Sequence, residues 1–189
     1  MQSNPQPTTP PPTHPPQAPV IFSASEDGTV RTWRAGANTS SRSGKGKARK
    51  KTGAVAYAEV ASMAVGGGGK SASHATSLCP NPDGSIIAAA AADGTMGLWD
   101  TATAEQLVAY AADGSSCAAG ARAAAKGKAK NGAKGVVCFQ PDGVLLVHGR
   151  GKEARLWDVR AAAPLATLDA LTGNVQCMSF SENGGFWWD

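Results

Sequence analysis

The chain has 189 residues, with 18 Lys and Arg against 14 Asp and Glu and a formal net charge of +4. Apolar residues make up 42% of it, but aromatic residues only 6%, so much of the apolar content is alanine and the core is expected to be thin. No strongly apolar run reaches the roughly 18 residues of a membrane-spanning helix. The N terminus also lacks the basic and apolar regions of a secretory signal. We therefore expect no membrane association.

Residues 1–19 are rich in Pro, Gln, Thr and Ser. This composition buries too little apolar surface to offset the entropy of ordering, so we expect a disordered, polyproline-like tail. A partner that reads PxxP segments is conceivable there, but a simple disordered leader is favoured.

Two stretches, residues 77–100 and 135–158, share one sequence pattern: an apolar run, Pro-Asp-Gly, a second apolar run, a turn, and a segment that ends on Trp-Asp. The Pro-Asp-Gly turns are 142 − 83 = 59 residues apart and the Trp-Asp pairs 157 − 99 = 58 residues apart. Gly and Asp accept turn dihedrals that the apolar runs do not, so each stretch predicts three β-strands joined by tight turns.

Two partial copies flank this repeat. Residues 20–33 resemble its second half, and residues 175–188 its first half. The Asn-Gly turn of the last copy follows the Pro-Asp-Gly turn before it by 183 − 142 = 41 residues, which is close to the roughly 40–45-residue repeat of four-stranded propeller blades. The longer intervals then require inserts between blades.

The pattern predicts an all-β chain with two nearly full blades between two half-blades. The predicted strands are residues 20–25, 29–33, 75–80, 85–91, 95–99, 105–110, 136–139, 144–147, 154–157 and 165–168, with a further half-blade from Val175. Residues 54–64 fit either a strand or a short helix. Because residues 88–91 are all Ala, a poor strand former that fills little space, we expect the second blade to be the weakest packed.

Two basic, low-complexity inserts lie at about residues 35–53 and 112–134. Their tracts Arg42–Lys51 and Arg122–Lys134 hold 11 of the 18 Lys and Arg residues, which leaves 7 basic against 14 acidic residues elsewhere. Neither tract has interleaved aromatic residues, so any RNA contact would be to phosphates and non-specific. Solvated loop insertions are favoured over a functional basic patch.

The repeats resemble WD40 repeats, and this resemblance implies a partial WD40 propeller over residues 20–189. In that family the Trp belongs to a hydrogen-bond network with a Ser or Thr, an Asp of the preceding turn and a His of a Gly-His loop. No Gly-His dipeptide occurs here, so we expect an incomplete network. The residues that match the family's structural positions are Asp27, Trp33, Asp93, Trp99, Asp100, Trp157 and Asp158.

Four sequence segments resemble the propeller of one WD40 family in particular, the pre-mRNA-processing factor 19 family of spliceosomal ubiquitin ligases with a U-box. These segments are SASEDGTVRTWR, FQPDGVLL, LWDVR and SFSENG. The resemblance implies a nuclear, substrate-recruiting segment that binds spliceosomal subunits or ubiquitination substrates, with roles in splicing, DNA repair and ubiquitination in the full-length family. No U-box is visible here, so we expect a fragment of a longer protein. An open arc of about three blades should be marginally stable alone.

No catalytic, cofactor or metal site is predicted. The three His residues are isolated, and the four Cys residues are widely spaced without a CxxC pair, so small buried thiols in a reducing compartment are the favoured interpretation. Two functional classes remain: a protein-binding scaffold, with Arg150 and Lys152 on an exposed rim, and a nucleic-acid-associated factor that acts through the Lys-rich inserts.

Overall fold

The computed structural model describes residues 20–35, 57–66, 73–111, 116–117, 134–169, 171–182 and 186–188. Within these ranges the chain forms fourteen β-strands and no helix, so no helix there could cross a membrane. The strands form four antiparallel sheets, none of which closes into a barrel. The all-β, partial-propeller prediction is confirmed. The predicted tail and nearly all of both basic inserts lie outside the described residues.

The four sheets follow one another along the chain. Sheet one contains β1 (Val20–Ala24), β2 (Thr29–Ala35) and β3 (Tyr57–Ala64). Sheet two contains β4 (Ala75–Pro80), β5 (Ile86–Ala91), β6 (Met96–Asp100), β7 (Gln106–Tyr110) and β8 (Ser116–Cys117). Sheet three contains β9 (Gly135–Phe139), β10 (Leu145–Arg150), β11 (Glu153–Asp158) and β12 (Ala163–Leu168). Sheet four contains β13 (Met178–Phe180) and β14 (Phe186–Trp188). Within the undecided segment at residues 54–64, the described residues Tyr57–Ala64 form strand β3.

The Pro-Asp-Gly turns join the first and second strands of sheets two and three. In each turn the Asp carboxylate accepts the backbone N–H two residues later, from Ser85 to Asp83 at 2.8 Å and from Val144 to Asp142 at 2.9 Å. The following glycine has φ +74° in both turns, a conformation that costs glycine little because it has no Cβ. These local bonds explain why the shared sequence gives the same hairpin twice.

Neighbouring sheets meet through their first strands. β4 contacts β1, β9 contacts β4 and β5, and β13 contacts β9. Polar side chains of β4 also bond to the backbone of β9: Thr76 Oγ1 donates to the Gly135 carbonyl at 2.7 Å, and the Val137 N–H donates to Ser77 Oγ at 3.2 Å. The sheets are thus arranged in chain order, like adjoining blades.

Sheet two supplies core residues to both of its neighbours. Along β5 the side chains alternate, so Ala88 and Ala90 join the core shared with sheet three, whereas Ala89 and Ala91 join the core shared with sheet one. All four alanines are 0% exposed. Small side chains on both faces of one strand therefore let two cores cover β5 completely, and the weakest packing of this blade stays a prediction.

Candidate functional site

The turns before β2, β6 and β11 form one end of the sheets, which we call the rim (residues 25–28, 92–94 and 151–152). In the first two turns an Asp accepts both donors of the Thr two residues later. Asp27 Oδ1 lies 2.9 Å from Thr29 N and 2.6 Å from Thr29 Oγ1, and Asp93 Oδ1 has the same two distances to Thr95. The Thr29 hydroxyl and then its N–H lower the pKa of Asp27, with a smaller contribution from Arg31.

The third rim turn lacks this Asp-Thr pair and presents a cation. Its residues are Gly151 and Lys152, and Lys152 is exposed. The acid that follows, Glu153, pairs with Arg155 of the same strand. The rim therefore carries exposed acids on sheet one and an exposed lysine on sheet three.

Arg150, the other predicted rim residue, contacts sheet two. Its guanidinium lies directly over Gly94, where a Cβ would overlap it. Gly94 also has φ +83°, a conformation that favours glycine, and a Cβ there would have to displace the Arg150 side chain. Arg150 therefore helps to join two rim turns and is only partly exposed, while Lys152 is the more accessible of the two predicted rim cations.

The segments that lead into the first strands are tied to the preceding rim turn. The Ala75 N–H donates to the Ser25 carbonyl at 3.1 Å, and the Val175 N–H donates to the Gly151 carbonyl at 2.6 Å. His74 Nδ1 also bonds to the Glu26 carbonyl. Sequence reasoning did not single out His74, because it follows Ser and not Gly. These bonds hold consecutive rim turns in fixed positions.

The Asp of each Trp-Asp pair lies at the opposite end of the sheets. Asp100 Oδ1 accepts the N–H groups of Ala102 and Thr103, each at 2.8 Å. Asp158 Oδ1 accepts those of Arg160 and Ala161 at 2.8 and 2.9 Å. The bonds from Thr103 and Ala102 lower the pKa of Asp100. Both carboxylates thus cap the turn to the next strand, and local backbone bonding accounts for them.

The Trp side chains differ in their hydrogen bonding. Trp33 Nε1 donates to Ser23 Oγ at 2.9 Å, and Ser23 lies two residues after Ile21, the register partner of Trp33. The equivalent position in sheet two, two residues after the register partner of Trp99, is Ala89. The Ser-Trp bond of sheet one is therefore not available to sheet two.

In sheet three the equivalent position is His148, two residues after the register partner of Trp157. Both Trp157 Nε1 and His148 Nε2 are buried without a hydrogen-bond partner. Burial, and then the charges of Arg150 and Arg155, lower the pKa of His148 to about 4, so this side chain is neutral at physiological pH. The Tyr110 ring lies against Trp157 in a tilted arrangement, with ring centroids 4.3 Å apart and an angle of 53° between the planes.

Among the described residues no group of three or more His, Cys, Asp or Glu is arranged to hold a metal ion. The predicted WD40 positions lie in the rim turns, in the turn caps at the opposite end, and on strands, where Trp99 and Trp157 are buried and Trp33 is half-buried.

Comparisons with known proteins agree with this architecture. The family model for the WD domain, G-beta repeat, matches residues 68–100, a range that includes β4, β5 and β6. With the repeated antiparallel sheets, this match supports a WD40-repeat protein whose sheets form part of a propeller.

A match to one relative gives a more specific likeness than the family model. The chain is 45% identical over 49 residues to pre-mRNA-processing factor 19 homolog 2 of Arabidopsis thaliana. That match covers 25% of this chain and 9% of the relative. The chain thus resembles WD40 proteins in its repeated sheets and in one matched repeat, and it resembles pre-mRNA-processing factor 19 over a short segment.

Proposed function

We propose that this chain is a protein-interaction segment that recruits spliceosomal subunits, or substrates of ubiquitination, to pre-mRNA-processing machinery in the nucleus. WD40 domains generally mediate protein–protein interactions, and the matched relative is by its name a pre-mRNA-processing factor. Roles in DNA repair and ubiquitination belong to the same proposal through the family resemblance. The segment would supply binding and not ubiquitin transfer.

The rim is the observation that carries the proposal. Backbone bonds from Ala75 to Ser25 and from Val175 to Gly151 hold its turns in place. A rigid surface binds with less loss of conformational entropy than a mobile loop. Exposed Lys152 at one end of the rim suits an acidic partner segment, and exposed Glu26 and Asp27 at the other suit a basic one.

A charge reversal at the rim tests this role. The chain with Lys152→Glu is compared with Arg160→Glu, which reverses an exposed cation in a turn at the opposite end of the sheets. Each variant is immobilised and incubated with ribonuclease-treated nuclear extract, and the bound spliceosomal proteins are measured by mass spectrometry. We expect Lys152→Glu to reduce their recovery about ten-fold, while Arg160→Glu retains it.

Equal recovery by the two variants would contradict the rim as the binding surface. Failure of the unmodified chain to recover spliceosomal proteins would contradict the splicing proposal itself.

The second candidate is non-specific RNA binding, favoured by the 11 of 18 Lys and Arg residues in two tracts. Phosphate neutralisation gives a steep fall of log affinity with log salt, a slope of about −0.7 per contact for single strands. Filter binding with and without Arg42–Lys51 and Arg122–Lys134 measures this slope. If deletion of both tracts leaves RNA binding unchanged, this candidate is excluded.

A further inference from the structure

One position differs among the strands that carry the repeated Trp. Two residues before the Trp, and on the same face of the strand, β2 carries Arg31 and β11 carries Arg155, whereas β6 carries Gly97. The offset from Arg31 to Gly97, 97 − 31 = 66, equals the offset between the two Trp residues, 99 − 33 = 66. Sheet two therefore has a glycine where sheets one and three each have a guanidinium.

In sheet one two acids hold this arginine. Arg31 Nη2 lies 3.0 Å from Asp27 Oδ2, and Arg31 Nη1 lies 3.8 Å from Glu59 Oε2. Asp27 belongs to the rim turn before β2, and Glu59 is the register partner of Trp33 on β3. The guanidinium is thus held between the rim turn and the neighbouring strand.

Sheet two repeats the positions of both acceptors. Asp93 occupies the position of Asp27 in its own rim turn. Gln106 is the register partner of Trp99 and therefore occupies the position of Glu59, and its amide oxygen can accept a hydrogen bond. A carboxylate and an amide thus stand where the two acids that bind the arginine of sheet one stand.

A cavity of about 160 Å³ lies beside Gly97, between sheets one and two. Ala64 and Gly66, at the end of β3, line one wall, and Gly97, Trp99 and Gln106 line the other. A Cβ on Gly97 would overlap the Trp99 ring and would lie 2.9 Å from Gln106 Nε2. The glycine therefore lets the indole ring and the amide form one wall, and β6 itself has no room there for a side chain of its own.

The size and lining of the cavity suit a planar cation. The cavity can hold one side chain but not a larger ligand, since sites for drug-sized molecules occupy about 300–1,000 Å³. A guanidinium is planar, packs favourably on aromatic rings and donates several hydrogen bonds, whereas an ammonium is a compact and strongly hydrated point charge. The Asp93 carboxylate adds negative charge close to the cavity, because its Oδ2 lies 3.3 Å from the place that a Cβ on Gly66 would take.

We propose that this cavity binds the side chain of an arginine that a partner protein supplies. The incoming guanidinium takes the place beside the Trp that Arg31 and Arg155 take in their own sheets, with the Trp99 ring as one wall and the Gln106 amide oxygen as an acceptor. The site is separate from the exposed Lys152 of the rim, and the inference does not depend on the spliceosomal partners proposed above.

The test uses the full chain, labelled with ¹⁵N, and the synthetic peptide acetyl-Gly-Gly-Arg-Gly-Gly-amide as the probe. We expect the signals of the Trp99 indole N–H and the Gln106 side-chain amide to shift and to saturate at about millimolar peptide, because one side chain supplies most of the contacts. Matched peptides with lysine, or with citrulline, which keeps the shape without the charge, should bind at least about five-fold more weakly. Free arginine should also bind more weakly, since its own carboxylate would approach that of Asp93, and tighter binding of the free amino acid would contradict a protein partner.

Two charge-matched variants separate a built site from diffuse attraction. Gln106→Glu gives sheet two the acid that sheet one has at Glu59 and should tighten binding of the arginine peptide about ten-fold. Gln176→Glu adds the same charge at an exposed position outside the cavity and should leave the affinity within about two-fold. The proposal is overturned if the arginine peptide leaves both signals unchanged, if the lysine or citrulline peptide binds as tightly, or if the two variants strengthen binding equally.

Discussion

Acidification should destabilise the fold through His148. Burial of this side chain, and then the charges of Arg150 and Arg155, lower its pKa, and Arg155 is itself paired with Glu153. The folded protein therefore holds the imidazole neutral at pH values where the unfolded chain binds a proton. The contribution of His148 to the unfolding free energy is fully present above the unfolded pKa of 6.5. It is lost as pH falls towards the folded pKa of about 4.

The size of the effect follows from the shift. A fall in pKa from 6.5 to about 4 corresponds to about 3 kcal/mol of unfolding free energy, at about 1.4 kcal/mol per unit. The carboxylates with lowered pKa, Asp27, Asp83 and Asp100, contribute their loss only below about pH 4, since their ordinary pKa is 3.8. The interval between about pH 6.5 and 4.5 therefore isolates the histidine.

The assay is urea unfolding followed by Trp fluorescence at several pH values in that interval. The unmodified chain should lose stability steadily, whereas His148→Leu, which keeps the side chain apolar, should be nearly independent of pH. His74→Gln removes an exposed histidine and should retain the wild-type slope. Parallel slopes for the unmodified chain and His148→Leu would refute the reasoning.

Two further substitutions test the contacts of the rim and the Trp positions. Ser23→Ala removes the acceptor of Trp33 Nε1 and should cost about 1–2 kcal/mol, whereas Ser62→Ala on exposed β3 should change the unfolding free energy by less than about 0.5 kcal/mol. Gly94→Ala and Gly84→Ala both place a Cβ at positive φ, but only the first overlaps a neighbouring guanidinium. Gly94→Ala should therefore be the more destabilising in urea unfolding, by up to about 1 kcal/mol, because the Arg150 side chain must leave its contact, and equal costs would show that the Arg150 contact contributes nothing.

The repeated turns made most of the fold predictable. Pro-Asp-Gly and Trp-Asp fix where strands turn and end, so β4 was predicted with its observed bounds. The strands of sheet three were predicted to within two residues at every end except the C-terminal end of β10. The sequence could not decide whether β3 is a strand or a short helix, because an Ala-rich segment fits the side-chain period of either. The complete burial of Ala88–Ala91 could not be predicted, since propensity describes one strand and does not report that cores lie on both of its faces.

The arrangement of the rim depended on contacts between sheets. Arg150 was predicted to be an exposed rim residue, and the sequence alone does not reveal that its side chain crosses to Gly94.

The most direct test of the splicing proposal is immunoprecipitation of the endogenous polypeptide with an antibody to residues 136–158, before and after ribonuclease treatment. Mass spectrometry then reads both the size of the polypeptide and the proteins that accompany it. We expect spliceosomal proteins to remain bound to the polypeptide after ribonuclease treatment. Their absence, or their complete loss once RNA is digested, would contradict a segment that recruits its partners through protein contacts.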